Sequence, residues 1–199
     1  MSLLLETIQC KNGVLKNLDY HQNRFNYARR KNFGCKDELI LRDVLHIPSQ
    51  YRGGLFRCRV VYSATIEMIE FIPHQYRPIR KVKLIENNSI DYRFKFANRS
   101  ELNALFNQRG PCDDILIVKN GMITDSLTAN VIFFDGKKWW TPDAPLLNGT
   151  QRARLLEEGK IEPRRITEKS LPRYEKAGFI NAMQDIEQMP VVPVENLVR

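Results

Sequence analysis

Lys95 is the residue whose surroundings point most directly to covalent chemistry. Phe94 and Phe96 flank it, and an aromatic on each side predicts partial burial. Burial disfavours the ammonium form, which turns a lysine into a usable amine nucleophile near neutral pH. A solvated lysine at a strand-to-helix junction is the plain alternative in a chain with 31 Lys and Arg, because lysine is seldom fully buried without a reason. Groups elsewhere in the chain must decide between them.

Three distant segments supply such groups. A lysine that forms an imine needs a carbonyl partner, and a pyridoxal cofactor needs more: cations and helix N–H groups for its phosphate, and a carboxylate for its ring nitrogen. Arg24 offers the cation, the helix start at Gly149 and Thr150 offers free N–H groups, and Asp125 offers the carboxylate. Taken singly, each has a plainer reading, as a surface arginine of an amphipathic helix, an ordinary helix start and a turn aspartate.

The elements that must position these residues follow from periodicity. SLLLETIQC reads as a strand, and the next segment as a short strand or turn followed by a helix, with Leu18, His21, Phe25 and Ala28 at three- and four-residue steps and Gly34 at the stop. A second helix is expected over 36–47, ended by Pro48. GLFRCRVVYS and ATIEMIEFIP read as paired strands, and PHQYRPIRKVK, with its prolines and basic residues, as the link to a second unit. After Lys95 come the helix NRSELNALFNQRG and three strand-like runs, DDILIVKNG, MITDSLTANVIFFDG and KKWWTP, forming a meander through Asn120-Gly121 and Asp135-Gly136 turns. TQRARLLEEG is expected to be helical, Ile166 to begin a short strand and SLPRYEKAG to form a helix; FINAM and MPVVPV are the last apolar segments.

Composition bounds the class. The 199 residues carry a net charge of +8 with 43% hydrophobic and 27% charged content, which suits a globular chain and excludes disorder. No apolar run reaches membrane-helix length and no signal peptide is visible, so a cytoplasmic protein without membrane association is expected. The basic residues are spread in small clusters without a nucleic-acid signature, which favours an anionic metabolite over nucleic acid. Cys10, Cys35, Cys58 and Cys112 form no CxxC pair and the three histidines are scattered, so no metal site is expected.

With these residues in place, the order of motifs resembles the fold-type IV pyridoxal-phosphate enzymes, the family of branched-chain and D-amino-acid aminotransferases and aminodeoxychorismate lyase. The matching stretches are LLLETI, HQNRF, KFANR, GMITDSLTANVIFF, TPDAPLLNGTQR and MPVVPV, in the family's order over nearly the whole chain. The resemblance implies an α+β, two-domain fold: a small N-terminal α/β domain over 1–78 and a larger, mixed β-barrel-like cofactor domain with helices over 79–199. It implies Lys95 as the Schiff-base lysine that also moves protons on the substrate and Arg24 as the phosphate cation. Thr150 and Gln151, after Gly149, would be the backbone phosphate donors and Asp125 the partner of the ring nitrogen. By the same resemblance Asn98 would be a further cofactor-site residue, and Arg99, Asn130, Asn181 and Ala182 would lie in the substrate or cofactor vicinity.

Within the family, K-x-x-N-R at Lys95 to Arg99, Asn181-Ala182 and the closing MPVVPV look like the lyase branch. That implies conversion of 4-amino-4-deoxychorismate into 4-aminobenzoate and pyruvate in folate biosynthesis by a pyridoxal 5'-phosphate-dependent homodimer. A branched-chain or D-amino-acid aminotransferase, or a non-catalytic cofactor-binding relative, is the alternative. The chain departs from the pattern in three places: it is shorter at its start, Asp125 replaces glutamate, and Thr150-Gln151 replaces the usual pair after the glycine.

Overall fold

A computed structural model describes residues 2–199. The described chain divides into two compact units, the first comprising residues 2–76 with Phe94–Asn98 and the second Arg77–Arg93 with Arg99–Arg199.

The first unit is a four-stranded antiparallel sheet in the order β2-β1-β3-β4, built from β1 (Leu4–Lys11), β2 (Val14–Leu15), β3 (Leu55–Tyr62) and β4 (Ile66–Pro73). Helix α1 (Leu18–Phe33) covers one face and stops at Gly34, whose φ of 69° suits glycine. Alternation on β1 sends Leu4, Ile8 and Cys10 into a core shared with Phe25, Ala28, Cys58, Val60 and Tyr62. Each large apolar side chain buried there contributes about 1.5 to 3 kcal/mol. Glu6 falls on the same parity, a carboxylate where the pattern calls for an apolar group.

The helix expected over 36–47 is a single turn, α2 (Leu41–Val44). Gln22 holds the preceding chain extended, its amide donating to Leu39 O (2.8 Å) and accepting from Leu41 N (2.6 Å). The buried Arg29 likewise takes Asp37 O and the Asp37 carboxylate. These long-range ties outcompete local helix formation.

Phe94–Asn98, placed in the second domain by the sequence reading, clusters with the first unit because its backbone runs antiparallel beside the start of β1: Leu5 N donates to Lys95 O (2.8 Å) and Ala97 N to Leu3 O (2.9 Å). Phe94 and Phe96 are half-buried against the first unit's core.

The second unit is a mixed sheet. Its strands are β5 (Val82–Glu86), β6 (Asp114–Lys119), β7 (Met122–Ser126), β8 (Asn130–Phe134), β9 (Trp139–Pro142), β10 (Ile161–Arg164), β11 (Lys176–Ile180), β12 (Val191–Pro193) and β13 (Leu197–Val198). The order β10-β9-β8-β7-β6-β5-β13 is extended by β11, which pairs with β8 and β12. β6 is buried on both faces: Leu116 and Val118 join Phe133 and Phe179, while Ile115 and Ile117 meet Leu102 and Leu105 of α3 (Ser100–Phe106). Helix α4 (Thr150–Glu157) packs Leu155 with Ile132, Ile161 and Ile180.

Three expectations change here. The run 122–135 is two strands, since the chain reverses after Ser126. Ile166 begins no strand and has only the bridge between Met122 and Thr167 beside it; the strand lies earlier, at β10. SLPRYEKAG forms a 3-10 turn over Glu168–Arg173 and then enters β11, because Pro172 cannot donate to a continuing α-helix.

Candidate active site

Each unit carries its own share of the residues singled out from sequence. In the first, Lys95 is half-buried on the segment hydrogen-bonded to β1, and Asn98 is exposed at the segment's end. Arg24 lies on α1 and forms a fork to Glu6 of β1, from Nε to Oε1 (2.8 Å) and from Nη2 to Oε2 (2.5 Å). His21, one turn earlier, contacts the same Oε2 through Nδ1 at 2.6 Å. Glu6 and His21 are completely buried. Burial alone would raise the Glu6 carboxyl, but the Arg24 charge and the hydrogen bonds from His21 and Arg24 outweigh it and hold the pKa down to about 2. His21 moves downward as well, through burial and the charges of Arg24 and Lys95, against the pull of Glu6. The pair is therefore a carboxylate beside a neutral imidazole.

Glu6 was missed from sequence, where ETI passes as an ordinary strand. The available signal was its parity, one glutamate among Leu4, Ile8 and Cys10.

In the second unit, Asp125 and Asn130 face each other as the one register pair between β7 and β8. Asn130 Nδ2 donates to Asp125 Oδ1 (2.8 Å) and to Leu147 O (2.9 Å), while Leu147 N donates to Asp125 Oδ2 (2.9 Å). Burial raises the Asp125 carboxyl to about 6, against these hydrogen bonds and the charge of Arg152. Gly149, at the start of α4, is there for space: a Cβ on it would lie 1.9 Å from Asn130 Oδ1. Thr150 and Gln151 are buried in the first turn of α4, and the Gln151 amide donates to Asp185 Oδ1 (2.7 Å). Arg154 pairs with the other Asp185 oxygen, which neutralises an acid lying close to that helix start.

The reversal between β7 and β8 gathers the remaining candidates. Arg99 Nη2 donates to Leu127 O (2.6 Å) and Asn181 Nδ2 to Thr128 O (3.4 Å), so two residues far apart in sequence hold consecutive carbonyls of one turn. Asp114, buried and raised to about 6 by that burial, accepts from the Leu127 N–H and the Ser126 hydroxyl. Ala182 follows Asn181 in the turn after β11 and is half-buried.

Each unit by itself offers groups of the kinds that a phosphorylated pyridine aldehyde needs. Asp125 is an acceptor-only carboxylate in a dry setting, its oxygens taking hydrogen bonds from Asn130 and from the Leu146 and Leu147 N–H groups. Arg24 is a guanidinium held by its counter-ion, and α4 opens with buried N–H-bearing residues. Among the described residues no group of three or more His, Cys, Asp or Glu is placed to hold a metal, and no helix is long and apolar enough to cross a membrane.

Comparison with known proteins gives the family. The model of amino-transferase class IV matches residues 3–196. An uncharacterized protein of Haemophilus influenzae is 39% identical over 185 residues, 92% of this chain and 98% of that one. A crystal structure from Haemophilus somnus 129pt, provisionally named a 4-amino-4-deoxychorismate lyase, is 38% identical with a TM-score of 0.87 over 94% of this chain and 98% of its own. A provisionally named amino-acid aminotransferase from Mesorhizobium loti shares the fold at 21% identity, with a TM-score of 0.79 over 96% of this chain and 99% of its own. Matched along almost its whole length and built on the fold these structures share, the chain belongs to the class IV amino-transferase family, whose members are pyridoxal-phosphate enzymes.

Proposed function

We propose that the protein is a pyridoxal 5'-phosphate-dependent 4-amino-4-deoxychorismate lyase that forms 4-aminobenzoate and pyruvate. The observation that carries this reading is the likeness, at 38% identity over 94% of the chain, to the Haemophilus somnus structure with that provisional name. Arg99 and Asn181, the residues by which the sequence resembles the lyase branch, support it through their shared hold on the β7–β8 turn.

When bound, the cofactor supplies an electron-accepting ring conjugated to the substrate amine. The chain's own residues do the rest. Lys95 Nζ would hold the cofactor through its aldehyde and, once free, would serve as the general base that takes the Cα proton. Asp125 would keep a proton on the ring nitrogen by remaining ionised against it. Arg24 and the backbone N–H groups of Thr150 and Gln151 would hold the phosphate, the helix dipole of α4 assisting. Elimination of pyruvate leaves the aromatic ring of 4-aminobenzoate, so substrate atoms balance products without an oxidant or a second substrate. The cationic excess of the chain suits a dianionic substrate.

An amino-acid aminotransferase is the second reading, favoured by the fold shared with the Mesorhizobium loti structure. One assay separates the two. Protein loaded with pyridoxal phosphate and given aminodeoxychorismate should release 4-aminobenzoate and pyruvate in equal amounts with no keto acid present. Turnover that begins only when a keto acid is added would replace the lyase by the aminotransferase. Borohydride should fix the cofactor to Lys95 in the parent protein and leave a Lys95→Ala protein unlabelled; labelling of the variant at another lysine would remove Lys95 from the mechanism.

A further inference from the structure

Glu6 sits where a strand facing a helix should carry an apolar side chain, and nothing in the proposed chemistry uses it directly. Its two oxygens are taken up by α1: Arg24 forks across both and His21 Nδ1 meets Oε2 at 2.6 Å. The neighbouring Leu5 N–H holds the carbonyl of Lys95 at 2.8 Å. One short length of β1 thus holds the backbone of the lysine through Leu5 and the Arg24 guanidinium through Glu6.

We propose that Glu6 is a positioning residue of the cofactor site, which aims the Arg24 guanidinium at the phosphate and fixes His21 as the Nδ1–H tautomer with Nε2 unprotonated. This rests on the reading above, in which Arg24 is the phosphate cation. The tautomer follows from the chemistry of the pair. An ionised carboxylate only accepts, so a ring nitrogen 2.6 Å from it must donate, and a neutral imidazole has one N–H to give. Glu6 stays ionised because Arg24 forks onto it, and burial together with Arg24 and Lys95 keeps His21 neutral. The alternative role for Glu6 is purely structural, the counter-charge that lets Arg24 be partly buried. The two roles differ in what they do to the phosphate.

The test compares pyridoxal phosphate with pyridoxal, which lacks only the phosphate, binding to the full apoprotein and to its Glu6→Asp and Glu6→Gln variants. The readouts are absorbance titration and melting temperature. The parent protein should bind pyridoxal phosphate far more tightly than pyridoxal. Glu6→Asp keeps the charge but withdraws it by a methylene, and Glu6→Gln keeps the shape but sets an amide against two donors. In each, the affinity ratio should fall about tenfold or more, as for a weakened charged hydrogen bond, with pyridoxal binding changed less than about twofold. A ratio unchanged in folded variants overturns the proposal. Folding of the variants is not required for the second measurement, nitrogen-15 NMR of His21 in the parent protein at neutral pH. It should show the Nδ1–H tautomer; an Nε2–H or doubly protonated ring overturns the proposal on its own. A parent protein that binds neither compound would instead bring down the cofactor reading itself, whatever the state of His21.

Discussion

Gly149 shows how tightly single residues are set around Asp125. Its missing Cβ is the space in which Asn130 Oδ1 sits, and Asn130 cannot move aside cheaply because its amide is committed to Asp125 and Leu147 O. Gly149→Ala should therefore break one or both hydrogen bonds and lower the stability of the apoprotein by about 1 to 3 kcal/mol. A thermal melt of Gly149→Ala, Asn130→Ala and the double variant checks this. Because the clash is with Asn130, the double variant should lose clearly less than the sum of the singles, and strict additivity would contradict the contact. The residue scale is also where the sequence was least informative. Glu6 could be recognised only by asking which residues share the parity of Leu4, Ile8 and Cys10, and its partners His21 and Arg24 lie on a helix that local pattern does not place over it.

At the scale of elements, legibility followed the range of the forces. β1 and α1 were readable because alternation and a three-to-four-residue step are written in adjacent residues, and α4 was readable from the run after Gly149. The reversal between β7 and β8 was not, since SLTAN contains neither glycine nor proline. That turn is closed by Ser126, whose N–H donates to Ala129 O (2.9 Å) and whose hydroxyl accepts from Ala129 N (3.2 Å), and it is braced by side chains from elsewhere: Arg99 on Leu127 O, Asn181 on Thr128 O and Asp114 on the Leu127 N–H. The extended stretch before α2 was hidden for the same reason, being held by Gln22 and Arg29 of α1. Removing one of the clamps should loosen the turn without unfolding the sheet. Arg99→Ala is expected to speed amide exchange at Leu127 and Ala129 by about tenfold while leaving β1 and β3 unchanged, as measured by hydrogen exchange with NMR or mass spectrometry. Equal acceleration throughout would mean that Arg99 supports the unit as a whole.

At the scale of the molecule, the buried carboxylates make opposite demands on pH. Asp114 and Asp125 have native pKa values of about 6, above their ordinary 3.8, so the folded protein keeps protons that the unfolded chain has released. Their contribution to stability is greatest below about pH 4 and falls as pH rises through about 6. Glu6, held at about 2 against an ordinary 4.5, contributes stability that is complete above about 4.5 and is lost as pH falls through about 2. Between about pH 4.5 and 6 the loss from Asp114 and Asp125 is opposed by His21 and His74, both held below their ordinary 6.5, whose contribution grows as pH rises, so the sign is read from a difference: Asp125→Asn should gain stability relative to the parent apoprotein as pH rises across that interval. A ring nitrogen that carries a proton favours the ionised Asp125, so pyridoxal phosphate should raise the melting temperature more at pH 7 than at pH 5. Melting curves at the two pH values, with and without cofactor, decide it; equal shifts would separate Asp125 from the ring nitrogen.

The pairing of Phe94–Asn98 with β1 also bears on how such a chain can be taken apart or recombined. Because Lys95 returns to the first unit after the chain has already entered the second, no single cleavage separates the two, and a fragment ending at Tyr76 would be missing both its lysine and the edge partner of Leu3 and Leu5. A hybrid that exchanges everything from Arg99 onward with a relative would instead keep Lys95 together with Glu6, His21 and Arg24. Lys95 and the charged groups of its own unit would thus pass together in such an exchange, and Arg99, Asp125 and Asn181 would pass as a second block.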